Sequence, residues 1–232
     1  MCTNSCITYT GPYDDLEACP RCGTSCYLPG TTDPCKCFAT IPIGPVIQAF
    51  YGSPDVAENM HYLEKRLSMN IDYARCNNGQ LDKYNDTLCG KDILDTWQSG
   101  SFTKSDVALQ FSIEGTQLRP DQPSKAWVFI WVVHNLPPEI RYKKRFVVPA
   151  SIIPRPNKPG DMDSFLFLSL FHVAALQRKG LRIYDTFLDA YIARSVPCII
   201  FGTANSPGCA AMTGMVGHSG KSGCRLYCDM PG

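Results

Sequence analysis

The sequence predicts a mixed α+β or α/β protein in two parts: a small cysteine-rich module at the start, then a core in which helices pack on a mixed sheet. Three observations predict it. Of thirteen cysteines in 232 residues, seven (Cys2, Cys6, Cys19, Cys22, Cys26, Cys35 and Cys37) fall in the first 37 positions, among Gly, Pro, Thr and Asp residues that cannot form an apolar core. Beyond residue 106, β-branched and aromatic runs follow one another with turn residues between them. A segment of helical periodicity separates the third run from the fourth.

The composition, 44% hydrophobic and 19% charged, supports one sizeable core and is unlike that of a disordered chain. No stretch approaches the roughly 18 to 20 apolar residues that cross a bilayer, and Met1 to Cys6 has no secretory signal character. Neither membrane insertion nor secretion is expected, so the clustered cysteines read as metal ligands rather than disulfides. The formal net charge of +1 gives no overall basic excess, and any nucleic-acid contact must come from a local patch.

Three segments are expected: a cysteine-rich zinc-binding module over 1–45, a helical linker region over 46–105, and the core over 106–232. In the first, Cys2 and Cys6 are separated from Cys19 and Cys22 by twelve residues, a spacing that lets two short knuckles give four thiolates to one tetrahedral zinc. Cys26, Cys35 and Cys37 are too irregular to assign. In the linker, Val56, Met60, Leu63 and Leu67 recur at helical spacing over Pro54 to Met69. Asn77-Asn78-Gly79 is a turn, and Ile93, Leu94 and Trp97 give one apolar face to a helix over Lys91 to Gln98.

The core opens with strands over Val107 to Ile113 and Ala126 to Val133, joined by a polar turn, and a third over Phe146 to Ile153, where Pro149 favours an edge or a bulge. Asp161 and Asp163 offer N-caps to a helix running to Lys179, and Gly180 stops it. A further helical piece follows, on which Asp185 and Asp189 form a solvated face. Cys198 to Gly202 is a buried strand entering a loop over Thr203 to Gly208. Strand, strand, strand, helix, strand is the opening of a ribonuclease H-like fold, although that order has other solutions.

In that fold, acids near the first and fourth strands face each other and hold two divalent cations for attack on a phosphodiester. The corresponding positions are Glu114 and Asn205. Here particular motifs carry a resemblance. Cys2-Thr3-Asn4-Ser5-Cys6, Cys19-Pro20-Arg21-Cys22, Thr40-Ile41-Pro42-Ile43-Gly44-Pro45, Glu114-Gly115-Thr116-Gln117-Leu118, Arg141-Tyr142-Lys143-Lys144-Arg145, Asp163-Ser164-Phe165-Leu166-Phe167 and Gly223-Cys224-Arg225-Leu226-Tyr227-Cys228 resemble CACTA-type DNA transposases of the Plavaka-like group.

The resemblance implies a nuclear, mobile-element enzyme that cuts and pastes DNA with an Asp-Asp-Glu site holding Mg²⁺ or Mn²⁺. This sequence departs from the pattern. Glu114 stands where the family carries its first Asp and Asn205 where it carries the second, and the family's third acid lies beyond Gly232. A truncated, catalytically degenerate core is therefore expected. A residual nuclease using Asp106 or Asp185 as a substitute acid, and a zinc-dependent protein-interaction module, are the alternatives.

Arg141, Lys143, Lys144 and Arg145, extended by Arg155 and Lys158, form the expected DNA-binding patch. His218, Cys224 and Cys228 have the spacing of a partial zinc site. His134 and His172 read as packing residues. The expected partners are DNA and a second copy of the chain, with no membrane and no small-molecule substrate.

Overall fold

The computed structural model describes residues 1–117, 125–154 and 159–214. The expected Arg155, Lys158, His218, Cys224 and Cys228 lie outside the described residues. The first segment docks on the core. Thr8 donates from both its backbone N–H and its hydroxyl to Ser164, and the backbone N–H groups of Gly160 and Asp161 donate to the carbonyls of Ser5 and Cys6. A Cβ at Gly160 would lie 2.9 Å from the Cys6 carbonyl oxygen, so this close approach requires glycine.

A short strand β1 (Ala39–Thr40) leads into helices α1 (Ile43–Tyr51), α2 (Pro54–Met60) and α3 (Tyr62–Cys76). The single helix expected over Pro54 to Met69 is thus two, hinged at His61. Helix α1 was not among the expected elements, and it contains Gly44 and Pro45. Both sit in its first turn, where the missing proline N–H costs nothing. Helix α4 (Lys91–Gln98) has the expected bounds.

The sheet is built from β2 (Val107–Gln117), β3 (Lys125–Val133), β4 (Val148–Pro154) and β7 (Pro197–Ala204), with β1 on one edge. Its order is β1-β4-β3-β2-β7. Strands β2, β3 and β4 form an antiparallel meander, and β7 returns parallel to β2 after helix α6 (Met162–Lys179). Strand β4 is interior, and Pro149 is tolerated beside a register shift opposite Phe129 and Ile130, the bulge alternative.

One sheet face carries Leu109, Phe111, Ile113, Phe129 and Trp131 into a core shared with α1, α2 and α6. Against the other, α3 and α4 bring Leu63, Leu67, Ile93 and Trp97 onto Ala108, Cys198 and Ile200. Helix α6 begins as expected, the Asp161 carboxylate accepting the Ser164 backbone N–H at 3.2 Å.

Two expectations are corrected. The segment after Gly180 is a β-hairpin, β5 (Leu181–Asp185) and β6 (Ala190–Ser195), not a helix. Its turn is fixed by Asp185, whose carboxylate accepts the N–H groups of Phe187 and Leu188, and by Asp189 at φ 51°. The expected loop over Thr203 to Gly208 is instead the end of β7 followed by helix α7 (Ser206–Thr213).

Candidate functional site

The cysteine cluster is the best-formed site. Cys2 and Cys6 lie on one tight turn, in which the Ser5 N–H donates to the Cys2 carbonyl and the Cys2 N–H to that of Ile7. Cys19 and Cys22 lie on another, closed by Gly23 N–H to Cys19 carbonyl and Cys19 N–H to Thr24 carbonyl. The backbone N–H groups of Arg21 and Cys22 point at the Cys19 sulfur, and that of Thr24 at the Cys22 sulfur. Amides aimed in this way stabilise thiolates.

The four Sγ atoms all lie within 4.8 Å of one another, and those of Cys2 and Cys22 are 3.5 Å apart. Four sulfurs about 2.3 Å from a tetrahedral zinc stand roughly 3.8 Å apart, so the cluster needs only a small contraction to close on an ion. Burial and the neighbouring thiols push Cys6 up to about 12, while the Thr24 hydroxyl and N–H hold Cys22 down near 5. Four cysteines in this arrangement can hold a metal ion such as zinc. Cys26, Cys35 and Cys37 are not part of the cluster.

A second constellation lies where β7 finishes beside β2, which runs on to Gln117 rather than stopping at Ile113 as expected. Their parallel register pairs Ile113 with Ala204, so the next residues are neighbours: Glu114, still within β2 and opposite Val128, and Asn205, just past the end of β7, both exposed. The Asn205 side-chain oxygen accepts the Gly208 N–H at 3.0 Å and caps α7. One carboxylate and one committed amide make a poor set for Mg²⁺ or Mn²⁺, whose protein ligands are chiefly carboxylates. Among the described residues, no further acid joins them in a metal-binding group.

The proposed substitute acids are elsewhere. Asp106 is buried at the start of β2, accepting from the Thr103 N–H and hydroxyl and from the Val196 N–H. Asp185 is buried too, with its second oxygen 2.8 Å from His61 Nε2. Both carboxylates are consumed by the fold, which also overturns the expectation of a solvated Asp185.

The expected basic patch is revised. Arg141 is not a surface cation: its side chain is 1% exposed and forms a two-pronged pair with Asp86, 3.1 Å from Nη1 to Oδ1 and 3.0 Å from Nη2 to Oδ2. Its Nε donates to the Leu136 carbonyl. Burial alone would raise the Asp86 carboxyl, but Arg141 and hydrogen bonds from Tyr62, Arg141 and Thr87 hold it below the ordinary carboxylate range.

The network continues through His134, whose Nδ1 faces the Arg141 guanidinium and whose Nε2 lies 3.0 Å from Gln110 Oε1. Nδ1 is therefore the acceptor and Nε2 carries the proton. Burial, then Arg141, drives the His134 pKa down to about 3. His172 accepts the Gly44 backbone N–H. His134 is fully buried within this network and His172 is half-buried against α1.

Lys143, Lys144 and Arg145 remain exposed, with Arg145 stacked 4.4 Å from the Phe146 ring. They lie where β3 ends, level with the start of β2. From Leu109, opposite Val133, to Glu114 is five residues, about 17 Å at strand spacing. The basic cluster and the Glu114–Asn205 pair thus occupy opposite ends of the sheet.

A surface the sequence did not signal is the outer face of the β5–β6 hairpin, where Arg182, Tyr184 and Tyr191 are exposed together. No protein-family model matches the chain, and no curated protein matches it significantly.

Proposed function

We propose that this chain is a transposase-derived DNA-binding protein with a zinc-held entry module and a ribonuclease H-like core, altered at 114 and 205, that no longer cleaves or transfers DNA strands. The observation carrying the reading is the adjacency of Glu114, on β2, to Asn205, just past the end of its parallel neighbour β7. An antiparallel meander, then a helix, then a strand parallel to the first gives the order β4-β3-β2-β7, as a ribonuclease H-like opening requires. The motif resemblance supplies the rest, including the mobile-element origin and nuclear site of action.

In this reading Cys2, Cys6, Cys19 and Cys22 hold a structural zinc that fixes the entry turns against α6. Lys143, Lys144 and Arg145 contact phosphates flanking the degenerate site, since their distance from Glu114 removes them from its immediate surroundings. No cleavage step is assigned to this site, because the donors at 114 and 205 do not fit a two-metal centre.

The test is twofold. Duplex binding measured between 50 and 200 mM salt should weaken with salt, and Lys143→Ala/Lys144→Ala/Arg145→Ala should lower the slope by about 2 to 3. Salt-independent binding, or none at low salt, would overturn the DNA-binding reading. Supercoiled plasmid with Mg²⁺ or Mn²⁺ should remain intact. Nicking abolished by Glu114→Ala would instead show a residual nuclease.

A further inference from the structure

We propose that the outer face of the β5–β6 hairpin is a stacking platform for single-stranded DNA, built from Tyr184 and Tyr191 with Arg182 beside them; this rests on the DNA-binding reading above. The two tyrosines are cross-strand partners with ring centroids 5.0 Å apart and planes at 55°. Tyr191 is 62% exposed and Tyr184 41%. Arg182 lies over the Tyr191 ring at 4.2 Å, so a guanidinium and two rings share one face.

That composition selects the ligand. Unpaired bases present π-faces to aromatic rings, phosphates pair with guanidinium groups, and paired bases in a duplex do not offer those faces. Cations outnumber acids near the platform: Arg182 and Arg194 are exposed on the hairpin and Arg178 and Lys179 on the turn of α6 leading into it, against the exposed Asp189, which accepts the Tyr184 hydroxyl, and Glu64, which shares a cleft with Tyr191. Asp185 is buried and hydrogen-bonded.

The platform is also rigid, which limits the entropy lost on binding. Gln48 on α1 donates to the Arg182 carbonyl at 2.9 Å, Thr186 donates to the Tyr51 carbonyl through its N–H and its hydroxyl, and the Asp185 carboxylate holds the turn against His61. Helix α1 also joins the two cationic regions. Its Phe50 packs edge-on to Phe146, at 5.7 Å, beneath the Arg145 guanidinium.

The experiment is fluorescence anisotropy of the full chain with a labelled oligothymidylate and with a duplex of equal length. Tyr184→Ala/Tyr191→Ala should weaken single-strand binding about tenfold or more and duplex binding less than about twofold. Tyr184→Phe/Tyr191→Phe, which keeps the rings, should stay within about twofold of the unmodified chain on both. The proposal is overturned if the alanine pair binds the oligothymidylate normally, or if the phenylalanine pair loses as much as the alanine pair. It is equally overturned if the alanine pair loses only binding to anionic vesicles, which would make the hairpin a membrane contact. If Lys143→Ala/Lys144→Ala/Arg145→Ala weakens both nucleic acids while the alanine pair weakens neither, the platform falls and the DNA-binding reading stands. If the unmodified chain binds neither at low salt, both fall.

Discussion

Replacing Arg141 should destabilise the protein rather than release DNA. Arg141 and Asp86 are 1% and 4% exposed and meet at 3.0 Å, so Arg141→Met leaves a carboxylate buried without its counter-charge. Breaking such a pair costs about 3 to 5 kcal/mol, because the orphaned charge keeps its desolvation penalty. The loss extends along the network, since Arg141 also faces His134 Nδ1 and donates to the Leu136 carbonyl. In a domain of this size, each kcal/mol lowers the melting midpoint by about 2 to 4 °C, so a fall of roughly 10 °C is expected. Arg141→Met/Asp86→Asn should recover part of it by removing the unpaired charge. Urea denaturation of the single and double variants measures the free-energy loss, and thermal denaturation the midpoint shift. A change below about 1 kcal/mol in Arg141→Met would refute the structural role. So would a loss of DNA affinity in the still-folded variant equal to that of Lys143→Ala.

Three further outcomes follow from the geometry. With a folded pKa near 3 against an ordinary 6.5, His134 stays neutral in the native state while the unfolded chain takes up its proton. Stability should therefore decline by a few kcal/mol as pH falls from 6.5 toward 3, at up to about 1.4 kcal/mol per unit, and urea midpoints for His134→Gln should show a flatter decline. Elemental analysis should find one zinc per chain, lost with Cys19→Ser or a chelator and retained in Cys26→Ser/Cys35→Ser/Cys37→Ser. Gly160→Ala places a Cβ 2.9 Å from the Cys6 carbonyl and should cost about 1 to 3 kcal/mol, read as a lowered melting midpoint with weakened zinc retention.

What the sequence disclosed divides by range. Helix α6 was legible because its cap, periodicity and glycine stop are all local, and β2 and β3 because their apolar runs are long. The four clustered cysteines were legible because two knuckles carry their geometry in their spacing. The β5–β6 hairpin was not: its strands are short, and Asp185 and Asp189 stand four apart, as on a helix face. What fixes the hairpin is His61, 124 positions away, with the carbonyl of Tyr51. Arg141 was misread for the same reason. Beside Lys143, Lys144 and Arg145 it looks like one cation among four, and only Asp86, 55 positions away, singles it out.

On the proposed reading, the Glu114–Asn205 pair is a catalytic centre whose donors have changed while the fold around it persists. Position 205 has one structural duty, to accept the Gly208 N–H, and asparagine and aspartate cap helices about equally well. Glu114 is exposed, so its length disturbs no packing. What keeps the two positions side by side is backbone: the β2–β7 register, and the close approach of α7, where a Cβ at Gly208 would lie 2.8 Å from that of Ala204 and 2.9 Å from the Ile113 carbonyl oxygen. None of these terms depends on the charge at 205 or on the reach of the side chain at 114. A divalent cation depends on both. On the proposed reading, selection for stability alone therefore preserves the frame of the site and leaves its donor atoms free to change.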